Sequence, residues 1–160
     1  MELSARLKAV AGMVTKGNRV CDVGCDHGYI SIYLVKNGVS PYVYAMDVNK
    51  GPLLRAKEHI LDYGYTDKIE TILSDGLVAL GDRESDALIC AGMGGKLIIK
   101  ILTDGMEQVL KMRELVLQPQ SEIHLVREYL RKQGFYIDKE DIIFEDGKYY
   151  PMMHVIVMPD

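Results

Sequence analysis

No apolar run in this chain approaches the roughly 18 to 20 residues that a membrane-spanning helix needs. Its first residues carry no hydrophobic stretch of the signal-peptide kind. A cytoplasmic location is the expectation. Cysteine is scarce and odd in number: Cys21, Cys25 and Cys90 lie in or beside apolar, strand-like segments, which suits buried thiols better than disulfides. Cys21, Cys25 and His27 lack a fourth ligand, and Cys21 falls inside a strand, so no metal site is expected. A basic excess is also missing. The formal net charge is -4, from 19 Lys and Arg against 23 Asp and Glu, whereas a non-specific nucleic-acid binder usually has the opposite balance. Local basic faces remain open, carried by Arg6, Lys8, Lys16 and Arg19, by Lys96 and Lys100, or by Arg127, Arg131 and Lys132, although solvated helix faces explain most such residues. Repeats, low-complexity tracts and Pro/Ser-rich linkers are absent. The 160 residues, 48% of them apolar, are enough for one sizeable core and too few for two, so residues 1–160 are read as one domain.

What is present is an alternation. "LSARLKAVAGMVT" places Leu3, Leu7, Val10 and Val14 at helical spacing behind a Ser4 cap. Strand-like "NRVCDVG", "YVYAMDV", "KIETILSDG", "DALICAG" and "RELVLQP" are interleaved with helical "GYISIYLVKNG", "PLLRAKEHILDYG", "KLIIKIL" and "SEIHLVREYLRKQG". The second of these helices opens at Pro52, and the last runs from a Ser121 cap to Gly134. This pattern predicts an α/β, Rossmann-like domain, a parallel sheet with helices on both faces. The end of the chain breaks the pattern. Two strand-like runs flank only Asp146-Gly147, a strong hairpin signal. Dehydrogenase-type nucleotide-binding domains usually end in a parallel strand, and methyltransferase-type domains in a hairpin whose last strand inserts antiparallel.

The first strand runs into "CDVGCDHGY", which lacks the G-x-G-x-x-G dinucleotide fingerprint because only Gly24 and Gly28 are glycines. The pattern that fits is D-x-G-x-x-x-G. A pyrophosphate needs a helix N-terminus with free N–H groups. S-adenosylmethionine carries an amino acid and a sulfonium instead, so Asp22 and Asp26 can assist it where they would repel a phosphate. Asp47 ends the second strand, where an acid can receive both ribose hydroxyls of a nucleoside cofactor. Asp75, with Ser74 and Gly76, follows the third strand and is placed to bond an adenine amino group. Each acid alone also fits a turn former or helix cap. Three acids at the carboxyl ends of three successive strands fit a ligand crevice better.

"DVGCDHGYI", "AMDVNKGPLLRAKEHI", "SDGL", "AGMGGKLI", "LQPQ" and "DGKYYPM" together resemble the bacterial tRNA (adenine-N1)-methyltransferase family TrmK, over about residues 1–158. The resemblance implies a class I methyltransferase fold, S-adenosyl-L-methionine as cofactor, and adenine 22 in the tRNA D-arm as substrate. Members typically continue past the final strand into a helical extension thought to help hold tRNA. Since this sequence stops at Asp160, weak tRNA binding is the expectation.

The loop "AGMGG", residues 91–95, stands where enzymes that methylate exocyclic amino groups carry an Asn/Asp-Pro-Pro-aromatic motif. An exocyclic adenine nitrogen needs acceptors to rehybridise it. Ring N1 already has an in-plane lone pair, so alignment, desolvation and extraction of the base from its stack suffice, without a strong base. On this reading Asp26, Tyr29 and Met93 serve the reaction: Asp26 holds the cofactor ammonium or steers the adenine, Tyr29 closes the pocket and Met93 packs on the base. Asp22, Gly24, Cys25, His27, Gly28, Asp47, Val48, Ser74, Asp75, Gly76, Ala91 and Gly92 are the expected cofactor contacts. Gly94, Gly95 and Gln118 are the expected substrate contacts, with Gly94 singled out for its bare backbone. The alternatives are a helix-entry turn with Met93 as core filler, His27 as a general base, and a strand-end role for Gln118. A non-catalytic cofactor-binding module and a nicotinamide-dependent oxidoreductase are the competing functions.

Overall fold

In the computed structural model the described residues are 2–157. Ser4 opens α1 (Ala5–Gly12) as read from the sequence, its hydroxyl accepting the Leu7 N–H at 3.3 Å. The chain then runs through β1 (Val20–Val23), α2 (Tyr29–Lys36), β2 (Val43–Asp47), α3 (Lys50–Tyr63) and β3 (Ile69–Leu73). A short 3-10 turn, Val78–Leu80, leads to β4 (Ala87–Met93), α4 (Gly95–Asp104), the one-turn α5 (Met106–Val109), β5 (Glu114–Pro119) and α6 (Ile123–Lys132). The hairpin β6 (Tyr136–Glu145) and β7 (Lys148–Ile156) follows.

These strands form one seven-stranded sheet in the order β3-β2-β1-β4-β5-β7-β6. The first five are parallel, and β7 enters antiparallel between β5 and β6. The hairpin turn has Asp146 at φ 50 and Gly147 at φ 77. Both central residues are left-handed, the condition that selects Asp-Gly for a two-residue turn matched to strand twist.

Side chains alternate across the sheet and build two cores. Cys21, Met46, Leu88, Leu115 and Met153 point to one side, where α4 and α6 bring Ile98, Leu102, Val126 and Leu130. Val20, Ala45, Ile89, Val116 and Met152 point to the other, under Val10, Ile32, Leu34 and Ile60 of α1 to α3. The three cysteines are buried and unpaired. Burial pushes the Cys21 thiol up to about 12 and raises Cys25 and Cys90 as well, so all three are inert packing groups.

Two helix starts differ from the sequence reading. Helix α3 begins two residues before Pro52, which sits in its first turn, where a missing N–H leaves no intrahelical bond unmade. Ser121 does not cap α6. Glu122 occupies that position at φ 53, with no side-chain cap bond. The last strand-like run read from the sequence extended to Met158, which lies outside the described residues.

At the far end of the sheet from the strand carboxyl termini, His154 is buried between two carboxylates. Its Nδ1 is 2.5 Å from Asp138 Oδ1 and its Nε2 2.6 Å from Glu114 Oε1. Thr15 and Asn18 also donate to Glu114, tying the segment after α1 to β5 and the hairpin. The Glu114 hydrogen bond raises the His154 pKa, with burial opposing and Asp138 adding to the rise. Burial alone would raise Glu114. The bonds from His154, Thr15 and Asn18 outweigh it and hold that carboxyl below its usual value.

Candidate active site

The strand order reverses between β1 and β4, so the loops that follow them diverge and leave a crevice at their carboxyl ends. A cavity of about 450 Å³ opens there. Asp22 and the β1 loop form one side, Asp47 and Val48 the next, and Asp75 with Gly76 the third; Ala91, Gly92 and Met93 come from β4. Gly24, Cys25, Asp26, His27, Tyr29 and Ser74 line it too. The topology thus gathers most of the residues singled out in the sequence.

The β1 loop has little to offer a phosphate. Gly24 and Cys25 both donate their N–H groups to Met46 O, Asp26 donates to Asp47 Oδ2 at 3.0 Å, and Gly28 donates to Cys25 O. A pyrophosphate cradle needs those donors unengaged. Asp47 is by contrast ready to accept. One carboxylate oxygen takes the Asp26 N–H and the other the Asn49 N–H at 2.9 Å, which fixes the group while each oxygen keeps a lone pair. Asp22 is buried and bonded by Ser31 Oγ at 2.8 Å. Burial pushes its pKa up to about 6; the Ser31 bond opposes this, and the charges of Asp47 and Asp26 add to it. Such a carboxyl becomes comfortable as an anion when a cation arrives.

Asp26 has φ 53 and an exposed side chain, 3.6 Å from His27 Nε2. His27 and Tyr29 stack at 5.6 Å, and Tyr29 stacks on His59 of α3 at 5.2 Å. His59 Nδ1 lies 2.8 Å from the His27 carbonyl, so that nitrogen carries the proton and donates. Exposed Val48 and Leu97, with Ile101 of α4, give the cavity an apolar side suited to a flat ring. Leu97 and Ile101, which line the cavity, and His59, which backs Tyr29, were missed in the sequence, because an apolar residue or a lone histidine on a helix gives no signal of its neighbours in space.

Four expected contacts lie outside the cavity wall. Gly28 sits where α2 meets α3: a Cβ there would stand 3.1 Å from Ala56 Cβ, so its bareness serves helix packing. Gly95 faces α6, and a Cβ on it would meet Ser121 O at 2.4 Å and Glu122 O at 2.9 Å. Gly94 has φ -63, so no positive φ explains it, and a Cβ there would stand 3.1 Å from Ser121 Oγ. Gln118 is fully buried instead of facing the crevice. The loop's glycine at the cavity is Gly92. It forms a bulge at φ +74, between the Ala91–Gln118 and Met93–Pro119 pairs, and its N–H donates to Gln118 Oε1 at 3.0 Å. Gln118 therefore holds the bulge, and Gln120, just past the strand, reaches the cavity in its place. Met93 lines the cavity with its methyl 3.1 Å from where a Gly24 Cβ would be, and Gly24 sits at φ +77, where any side chain is strained.

A doubly wound sheet closed by an inserted antiparallel strand, with an acid-lined crevice at its switch point, defines a Rossmann-like methyltransferase domain. The chain matches the family described as "Methyltransferase domain" over residues 3–153. It is 35% identical over 153 residues to the tRNA (adenine(22)-N(1))-methyltransferase of Bacillus subtilis, covering 96% of this chain. It spans only 64% of that curated relative's length. Its fold superposes on the crystal structure of the B. subtilis m1A22 tRNA methyltransferase TrmK with a TM-score of 0.93, at 35% identity, covering 98% of this chain and 67% of that one. M. capricolum TrmK, in complex with S-adenosyl-homocysteine, matches with a TM-score of 0.90 at 30% identity, covering 98% and 69%. The chain belongs to the TrmK family of tRNA (adenine-N1)-methyltransferases.

Proposed function

We propose that this chain binds S-adenosyl-L-methionine across the ends of β1, β2 and β3 and transfers its methyl group to ring N1 of an adenine in tRNA, at position 22. The carrying observation is a single cavity that joins three strand-end acids to a bare, proline-free bulge at Gly92. The bound cofactor supplies a methyl on a sulfonium, which the N1 lone pair takes in line while the carbon–sulfur bonding pair returns to sulfur. The protein's residues do the rest. Asp47 receives the ribose hydroxyls, Asp22 and Asp26 face the cationic amino-acid end, and Val48 with Leu97 flank the ring. Gly92 lets the target base approach the backbone, Met93 packs against it, and Tyr29, stacked on His27, closes the rim. No side chain is asked to remove a proton before attack, since N1 carries none in the neutral base. The N–H groups of Gly24, Cys25, Asp26 and Gly28 are engaged within the protein, and the acids beside them would repel a pyrophosphate, which argues against a nicotinamide dinucleotide.

Among the described residues no helix is long and apolar enough to cross a membrane. Buried thiols and a tRNA substrate support a cytoplasmic setting, and the 160 residues alone are proposed to hold tRNA weakly. Calorimetry with S-adenosylmethionine, S-adenosylhomocysteine and NAD tests the cofactor. Binding of the first two without NAD is the expected result. Incubation with unmodified tRNA then separates an enzyme, which transfers methyl groups, from a binding module, which does not.

A further inference from the structure

We propose that Arg6 forms a phosphate subsite at the cavity mouth, holding the backbone phosphate of the nucleotide whose base enters the site. The proposal rests on tRNA being the substrate. Arg6 lies in the first turn of α1, a place where an arginine ordinarily faces water. Here it is held from three strands. Its backbone N–H donates to Glu145 Oε1 at 3.2 Å, its guanidinium carbon stands 5.0 Å from the centre of the Tyr150 ring, and Nη1 reaches Gln118 Oε1 at 3.4 Å. The side chain is only 22% exposed and lines the cavity, with Nη1 3.5 Å from where a Gly92 Cβ would be.

The guanidinium is oriented but not satisfied. Its Nε is buried without a hydrogen-bond partner, and Glu145 Oε2 is 3.8 Å away, too far for a hydrogen bond. The contact to Gln118 is long. Nε itself is sealed inside, but a mostly buried cation whose side-chain hydrogen bond is that long is stabilised when an acceptor-rich anion arrives at its Nη end.

The charge around the cavity says which anion. Asp22, Asp26, Asp47 and Asp75 line it, and Arg6 is the one Lys or Arg among the lining residues. Carboxylates suit a cationic cofactor and repel RNA. An adenine cannot present N1 to the cavity without bringing its own phosphate toward those acids. A guanidinium at the mouth offsets that repulsion, and its planar fork matches two phosphate oxygens. The same Gln118 Oε1 that accepts from Arg6 accepts the Gly92 N–H, so the phosphate grip and the bulge beside the base are fixed to one atom.

The test measures equilibrium binding of unmodified tRNA across a salt series for the wild-type chain, Arg6→Gln, Arg6→Lys and Glu145→Gln, with cofactor affinity and melting temperature measured for each. Arg6→Gln should keep its cofactor affinity and lose about tenfold in tRNA affinity at low salt. Its log–log salt slope should become shallower by roughly 0.7 to 0.9, one counterion-releasing contact, which a packing defect does not remove. Arg6→Lys should retain most of the slope, and Glu145→Gln, which leaves the cation in place, should retain all of it. An unchanged slope in folded Arg6→Gln, or a slope lost in Glu145→Gln, overturns the subsite. Because this reads binding without chemistry, a wild-type chain that binds tRNA but transfers no methyl group would refute the proposed function and leave the Arg6 result standing on its own.

Discussion

Replacing Gly95 with alanine separates the two roles that the glycine loop can have. The added methyl would lie 2.4 Å from Ser121 O, 2.9 Å from Glu122 O and 3.0 Å from Val126 Cγ2. Two of these are backbone atoms at the entrance to α6, and Ser121 O also accepts the Gly95 N–H at 3.0 Å. The α4–α6 contact must open by several tenths of an ångström and stretch that bond. Overpacking of this kind costs about 3 kcal/mol, which for a chain of this length is a fall in melting temperature of roughly 6 to 12 °C. Gly94→Ala is the matched control: φ is -63 and the nearest atom is the hydroxyl of Ser121, at 3.1 Å, which can rotate away. It should melt within about 2 °C of wild type and methylate normally. Differential scanning calorimetry with single-turnover transfer to tRNA reads both properties. Gly95→Ala that melts like wild type yet fails in transfer would refute the packing account and return Gly95 to the substrate contact read from the sequence.

Asp47→Ala should keep the fold and weaken S-adenosylmethionine binding by about 1.5 to 3 kcal/mol, measured by calorimetry; unchanged affinity removes the ribose assignment. Asp22 has a folded pKa of about 6 against an ordinary 3.8, so it contributes stability below 3.8 that is lost as pH rises through 6. Asp22→Asn should therefore raise the melting temperature of the ligand-free protein at pH 7.5 while weakening the cofactor, and wild-type cofactor affinity should fall as pH drops below about 6. A pH-independent affinity would contradict the ionised role. His154, raised above its ordinary 6.5, contributes stability present below 6.5 and lost as pH climbs through its folded value; Glu114, lowered, contributes stability present above 4.5 and lost as pH falls through its folded value. Denaturant titrations should show His154→Phe flattening the alkaline loss of stability, and an unaltered profile would show that the imidazole is not charged in the fold.

The parts of this account legible in the sequence are those set by local pattern. Short apolar runs alternating with helical segments marked five parallel strands, Asp146-Gly147 marked the hairpin that places β7 against β5, and acids at strand ends marked a crevice that tertiary structure forms at the switch point. What stayed hidden depends on distant partners. That Gly95 packs on α6 and Gly28 on Ala56 is decided by how helices approach, and a glycine's neighbours in sequence do not encode its neighbour in space. Gln118 and Gln120 are the same residue type two positions apart. Only the end of β5 determines that the first is sealed inside, bonding the Gly92 bulge, while the second reaches the cavity. In the sequence Arg6 is one of four basic residues scattered near the N-terminus; only the fold brings it to Glu145, 139 positions away.

The most direct measurement is to incubate the chain with methyl-labelled S-adenosylmethionine and unmodified tRNA, then map the modified base by mass spectrometry of nuclease fragments. The account predicts a single methyl on ring N1 of adenine 22. Methyl on an exocyclic amino group, or none on tRNA while the cofactor is bound, would contradict it.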